Sequence, residues 1–184
     1  MASIRPLDPR KLDVARLAAA GIELEGAWDL ETFARLRSAT LSDDRPEAPP
    51  VRFRALGQRA PLEGGGTQAA LRLEVETEVR LECQRCLQPM AVPLHIGRRF
   101  FFVPGEELAA ELDEVSEEDV LALVPSFDLH ALVEDELLLA LPIVPRHDVC
   151  PVPVPLVFED DMPAVEPEDH PFAALAALKG GKPA

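Results

Sequence analysis

Leu71-Arg72-Leu73-Glu74-Val75-Glu76-Thr77-Glu78-Val79-Arg80-Leu81-Glu82 is the stretch on which the fold turns. Apolar or β-branched residues hold every odd position and charged residues every even one. Successive side chains in a strand point to opposite faces, so this pattern specifies a long strand with one face in a core and one in water. Upstream, Val51, Phe53 and Ala55 alternate with Arg52 and Arg54, and a Pro61…Gly64-Gly65-Gly66 turn leads into the long strand. Downstream, Val92, Leu94, Ile96 and Phe100-Phe101-Phe102 read as the returning strand, with Gly97 a place for a β-bulge. Strands in this succession predict an antiparallel meander.

The flanks add helices. Asp8 to Gly21 predicts a short helix with Leu12, Ala15, Leu17 and Ala19 as its apolar positions and Gly21 as its stop. Ile22 to Glu25 reads as a brief strand, and Asp29 as the N-cap of a second helix carrying Leu30, Phe33, Ala34 and Leu36. Residues 42–50 have the composition of a linker. Glu106 to Asp119 reads as a polar loop or short helix, and Val120 to Val124 as another strand. From Asp128 to Leu141, Leu129, Leu132, Val133, Leu137, Ala140 and Leu141 share a helix face, and Pro142 and Pro145 end it. The expectation is an α+β fold: an antiparallel meander with short N-terminal helices and a packed, acidic amphipathic helix. One globular domain is expected over residues 1–158. An acidic, proline-rich tail, 159–184, follows and ends in a short amphipathic helix with Phe172, Leu175 and Leu178.

The chain of 184 residues is 47% hydrophobic, enough to build a core, but only 5% aromatic with no Tyr, so that core must be mostly Leu, Val and Ala. Its formal charge is −15, unevenly spread. Residues 1–103 are near neutral, with 15 Lys/Arg against 14 Asp/Glu, while residues 104–184 hold 3 against 19. The acidic part of the expected domain is thus 104–158. A cationic glove for nucleic acid is excluded as a description of the whole chain. The acidic half suits either simple solvation or a basic partner. No apolar run approaches the ~20 residues of a membrane span, and the N-terminus lacks the apolar stretch of a signal peptide. Three cysteines are an odd count and no disulfide framework, so a reducing cytoplasm is expected.

Cys83-Gln84-Arg85-Cys86, at the end of the long strand, has the spacing of a metal-binding knuckle, and His147 with Cys150 would complete a four-ligand set. Two readings stand side by side: one structural zinc tying the sheet to the end of the acidic helix, or two unrelated turns with free thiols. A redox role is disfavoured, because the pair joins two strands and Glu82 is expected to raise the thiol pKa. Arg52, Arg54, Arg85, Arg98 and Arg99, beside Phe100 to Phe102, are the candidate contacts for RNA or a partner. The other reading places the phenylalanines in the core and pairs the arginines with Glu74, Glu76 and Glu78. Glu134-Asp135-Glu136 reads as a solvated helix face, since consecutive carboxylates on a helix diverge. There is no phosphate loop, nucleophile elbow, dinucleotide fingerprint or zinc-protease helix, which points away from an enzyme and from a small-molecule substrate.

Three segments recur together: Leu81 to Leu87 around the cysteine pair, Leu132-Val133-Glu134-Asp135-Glu136 through Pro145, and Pro171-Phe172 through Lys179. In that order they resemble the bacterial large ribosomal RNA subunit accumulation protein family (YceD). The resemblance implies a non-enzymatic cytoplasmic factor supporting synthesis, processing or stability of 23S rRNA and large-subunit assembly. Its partner would be 23S rRNA or the pre-large-subunit particle, met directly or through a protein. Some members of that family carry a fuller cysteine set after the acidic helix; here only His147 and Cys150 stand. The charge distribution keeps an alternative open: an acidic adapter that binds a basic ribosomal protein or another assembly factor without touching RNA, with Phe172, Leu175 and Leu178 as its docking helix.

Overall fold

The alternating stretch becomes the central strand of a five-stranded sheet. The computed structural model describes residues 7–42, 49–62 and 65–153; the expected tail, with Phe172, Leu175 and Leu178, lies outside the described residues. Strand β3, Thr67–Glu82, is flanked by β2, Val51–Pro61, and β4, Pro89–Val103, both antiparallel to it. Glu23–Trp28 forms β1 against β2, and Asp119–Ala122 forms β5 beside β4, giving the order β1-β2-β3-β4-β5. On the inner face Val75 lies between Phe53 and Ile96, and Leu71, Leu73, Val75 and Val79 are each at most 1% exposed.

The expected α+β class stands, with β1 to β4 as its antiparallel meander, and one sequence expectation needs correction. Pairing between β3 and β4 runs unbroken from Ala69–Phe102 to Glu82–Pro89, so Gly97 sits opposite Glu74 without a bulge. The reason is parity: Leu94, Ile96, Phe100 and Phe102 already share one face, and an extra residue would turn half of them outward. Beyond the meander a fifth strand makes the sheet mixed: β5 runs parallel to β4, pairing Phe100 with Asp119 and Val103 with Ala122. Helix α3, Glu106–Asp113, is the crossover that returns the chain for this parallel pairing. It supports a small second core of Val103, Ala109 and Val120, joined by Phe101 and Leu112.

The inner face is covered by helices. The first one, α1, Val14–Ala20, is shorter than expected, because Leu12 is drawn into a backbone bridge with Phe127 (2.8 and 2.9 Å). Asp13 therefore caps it, accepting from the Arg16 N–H, and Gly21 ends it at φ 61°. Gly57 explains how closely α1 lies on the sheet: a Cβ there would come within 2.6 Å of the Leu17 backbone. Asp29 precedes a single 3-10 turn, Leu30–Thr32, and α2 follows as Ala34–Ala39. The acidic helix is α4, Leu129–Leu139, capped by Asp128. Leu129, Val133 and Leu137 are fully buried and join Leu17, Phe33, Leu36, Phe100 and Phe102 in one core. No helix among the described residues is long and apolar enough to cross a membrane.

The acidic triplet is not a solvated face. Glu134 and Glu136 are 8% and 7% exposed, and only Asp135 faces water. Glu134 turns to the start of α2, while burial pushes the Glu136 carboxyl up, against the pull of the nearby Arg98 charge.

Candidate metal centre

The turn from β3 to β4 is tight. The Leu87 N–H donates to the Cys83 carbonyl (2.8 Å) and the Cys83 N–H to that of Gln88 (3.0 Å), which folds Cys83 and Cys86 into a knuckle. Leu87 closes it at φ 57°, a left-handed conformation that a leucine adopts only at a cost. After α4, Pro142 stops the helix and the chain crosses over the knuckle, where the Gln84 N–H donates to the Pro145 carbonyl at 2.8 Å. That crossing delivers His147 and Cys150.

The ligand atoms of Cys83, Cys86, His147 and Cys150 all lie within 4.8 Å of one another, and Cys86 Sγ is 3.4 Å from His147 Nδ1. Tetrahedral zinc with Zn–S bonds of about 2.3 Å needs donors about 3.8 Å apart, so a small contraction closes the set. Three sulfurs and an imidazole are the soft donors that select zinc over calcium or magnesium. Cys83 is fully buried and the other three are half-buried. The four side chains thus converge into a group that could hold one metal ion.

Local electrostatics favour a cation. Burial pushes the Cys83 thiol up, but N–H groups of His147, Arg85 and Cys86 aimed at its sulfur outweigh burial and hold it at about 5. This corrects the expectation that Glu82 would raise it, since Glu82 is exposed while Cys83 is buried. Cys86 behaves oppositely: burial and the neighbouring sulfurs push its thiol up.

The five candidate arginines do not form one surface. Arg85 Nε donates to Cys150 Sγ (3.0 Å) and its Nη2 to the His147 carbonyl (2.9 Å), so it is tied to the Cys–His group. Arg98 and Arg99 point to opposite faces of β4. Arg98 pairs with Asp119; Arg99 pairs with Glu118 (2.6 Å) and lies 5.2 Å over the Phe101 ring. Arg54 pairs with Glu23 and Glu25 at 2.9 and 3.9 Å. Arg52, without an ion pair among the described residues, lines a shallow groove with Arg54, Glu25, Glu74 and Glu76. Phe100 and Phe102 are core residues and Phe101 is half-buried.

Sequence reasoning missed Glu134. Its carboxylate accepts from the Arg35 and Leu36 N–H groups (2.7 and 3.3 Å) and from Arg35 Nε (3.0 Å). No local signal announces it, because Arg35 is 99 residues away in the sequence.

The chain is 36% identical over 113 residues to the large ribosomal RNA subunit accumulation protein YceD of Haemophilus influenzae. The alignment covers 58% of this chain and 63% of that relative, so the chain spans just under two thirds of the curated relative's length. No solved structure matches. The family model for the large ribosomal RNA subunit accumulation protein YceD matches residues 71–179, which include most of β3, all of β4 and α4, and all four cysteine and histidine donors. With well over half of its length matched, the chain belongs to the YceD family.

Proposed function

We infer that this chain is a non-enzymatic cytoplasmic factor supporting the synthesis, processing or stability of 23S rRNA, and through it large-subunit assembly. The observation that carries the reading is the span of the family match, which encloses the β3–β4 hairpin, α4 and the Cys–His set. The relative's name describes large ribosomal RNA accumulation. We also infer that Cys83, Cys86, His147 and Cys150 hold one structural zinc. Such an ion supplies folding energy and no reaction, because four protein donors leave a tetrahedral metal no open position.

A second reading is favoured by one observation. The net charge of −15 repels phosphate, whose neutralisation normally drives RNA binding, and Arg54, Arg98 and Arg99 are already paired with carboxylates. The chain then reaches the pre-large-subunit particle through a basic ribosomal protein or another assembly factor. Arg52 remains the candidate for direct contact.

Deleting the gene and measuring the ratio of 23S to 16S rRNA tests the function. A selective fall in 23S, restored by the wild-type chain, is expected; an unchanged ratio would reject the reading. Elemental analysis of untagged protein tests the metal: about one zinc per chain is expected, and far less would reject the four-ligand site.

A further inference from the structure

Helix α3 packs on the face of β4 opposite the main core, where it covers Val103 and Val120 and leaves a groove beside them. The groove, about 580 Å³ in volume, is a single cavity lined chiefly by Leu62, Phe101, Leu112, Val115 and Val120. Val115 is 77% exposed. The walls are held in place. The Val120 N–H donates to the Asp113 carboxylate (2.8 Å), the Glu118 N–H to the Ser116 hydroxyl (3.1 Å) and the Ser116 N–H to the Leu112 carbonyl (3.0 Å). An apolar groove formed in advance is suited to contact, since little freedom is lost when it is covered.

Charge decides what fits. Among the described residues the lining holds one charged side chain, the exposed Glu117, and no Lys or Arg. Glu111 and Glu114 stand one residue before Leu112 and Val115. With Glu106, Glu107 and Glu117 they are exposed and enter no ion pair among the described residues. From Pro104 to Pro145 the chain contains no Lys or Arg that could offset them. Cations on the neighbouring strands are engaged elsewhere: Arg99 is held by Glu118 at 2.6 Å and Arg98 by Asp119, while Arg59 lines a separate groove against α1.

We propose that this groove docks a protein segment whose aliphatic side chains are flanked by Lys or Arg. The aliphatic groups cover Phe101, Leu112 and Val115, and the flanking cations meet Glu111, Glu114 and Glu117. A nucleic-acid strand would bring phosphates to the same carboxylates, and the Phe101 ring on which a base could stack is already capped by Arg99 at 5.2 Å. A second copy of the chain would set one acidic helix against another. The inference deepens the adapter reading by giving it a surface, and rests on that reading for the choice of probe.

The test exposes the labelled full-length chain to an array of overlapping peptides that tile the proteins of the bacterial large ribosomal subunit. Peptides that bind are then titrated in solution by fluorescence anisotropy. They should be Lys/Arg-rich with interspersed Leu, Ile or Val, and Val115→Asp and Glu117→Lys should each weaken them about tenfold or more. Glu76→Lys makes the same change of charge away from this groove and should alter binding by no more than about twofold. Equal weakening by Glu76→Lys and Glu117→Lys would overturn the proposal, because net charge alone would explain it. Binding unchanged by Val115→Asp, or a preference for peptides without Lys or Arg, would overturn it too. So would a lower Tm of Val115→Asp without peptide, which would mean that the chain covers the groove itself. Self-association or 23S transcript binding lost in Val115→Asp, in place of peptide binding, would also sink it. The 23S to 16S ratio separates this proposal from the function. A chain that restores the ratio while binding no peptide removes the groove and leaves the function standing; groove-dependent binding with a ratio unmoved by deletion does the converse.

Discussion

The Glu134 carboxylate of α4 lies on the backbone N–H of Arg35, 2.7 Å away, and so caps a helix 99 residues earlier in the chain. No side chain of the residues leading into α2 caps it. Its first N–H groups would be left without partners, and Glu134 supplies the acceptor that a local Ser or Asp ordinarily provides. The Arg35 guanidinium closes the arrangement, bonding Glu134 at 3.0 Å and Asp135 at 2.5 Å.

Glu134→Ala should therefore cost about 1–3 kcal/mol, because it leaves buried N–H groups unpaired, whereas Glu134→Gln, which keeps one acceptor oxygen, should cost about half as much. Burial pushes this carboxyl up, but the Leu36 and Arg35 N–H groups and the Arg35 guanidinium outweigh it and hold it below the usual range. The sign follows: the stabilisation is complete above the unfolded pKa of about 4.3 and is lost as pH falls through the folded value. Denaturant melts of wild type and Glu134→Gln at pH 7 and pH 3.5 should differ less at the lower pH.

His130 also loses stability as pH falls, but in a higher range and because its neutral form is the one favoured by the fold. Its ring stacks on Phe33 with centroids 4.1 Å apart, and its Nε2 meets Thr32 Oγ1 at 3.0 Å. Burial, and then the Arg10 charge, push its pKa below the ordinary value. The unfolded chain takes up a proton near pH 6.5 while the folded chain resists, so stability is unaffected above that pH and declines as pH falls towards the folded value. In the difference between wild type and His130→Phe, melted from pH 7.5 to 5.5, wild type should lose more stability.

Gly57 has no room for a methyl group, since Leu17 carbonyl carbon and oxygen and the Ala18 nitrogen lie 2.6–2.8 Å from its would-be Cβ. Gly57→Ala must push α1 off the sheet and should cost about 1–3 kcal/mol. Gly97, with open space where a Cβ would stand, is the control: Gly97→Ala should stay within about 0.5 kcal/mol. Equal Tm values for the two variants would show that α1 does not lie on Gly57.

Arg85 serves the metal centre in this account. Arg85→Met keeps an aliphatic stem and removes the donors to Cys150 and His147. Zinc affinity, measured by competition with a chelator, should fall about 10–100-fold. An unchanged affinity would return Arg85 to the candidates for RNA or partner contact.

Local sequence was enough to place the central strands and to single out Cys83, Cys86, His147 and Cys150 as a possible group. Period-2 alternation at residues 71–82 is local information, and burying one face of so long a strand leaves a single register, which placed β2, β3 and β4. The 83–86 spacing declared the knuckle, and proline at 142 and 145 marked where α4 ends and the His147–Cys150 loop begins. Tertiary structure decided the rest, because the deciding partners are remote. Whether the two cysteine segments meet depends on the loop crossing at Gln84 and Pro145. The parallel seat of β5 depends on α3 packing against Phe101 and Val103. Glu134 and Asp135 are adjacent carboxylates on one helix, and a sequence pattern treats them alike. One is buried on the N-terminus of α2 and the other stays in water, because a helix turns about 100° per residue and only the packing of α2 on α4 determines which direction points inward.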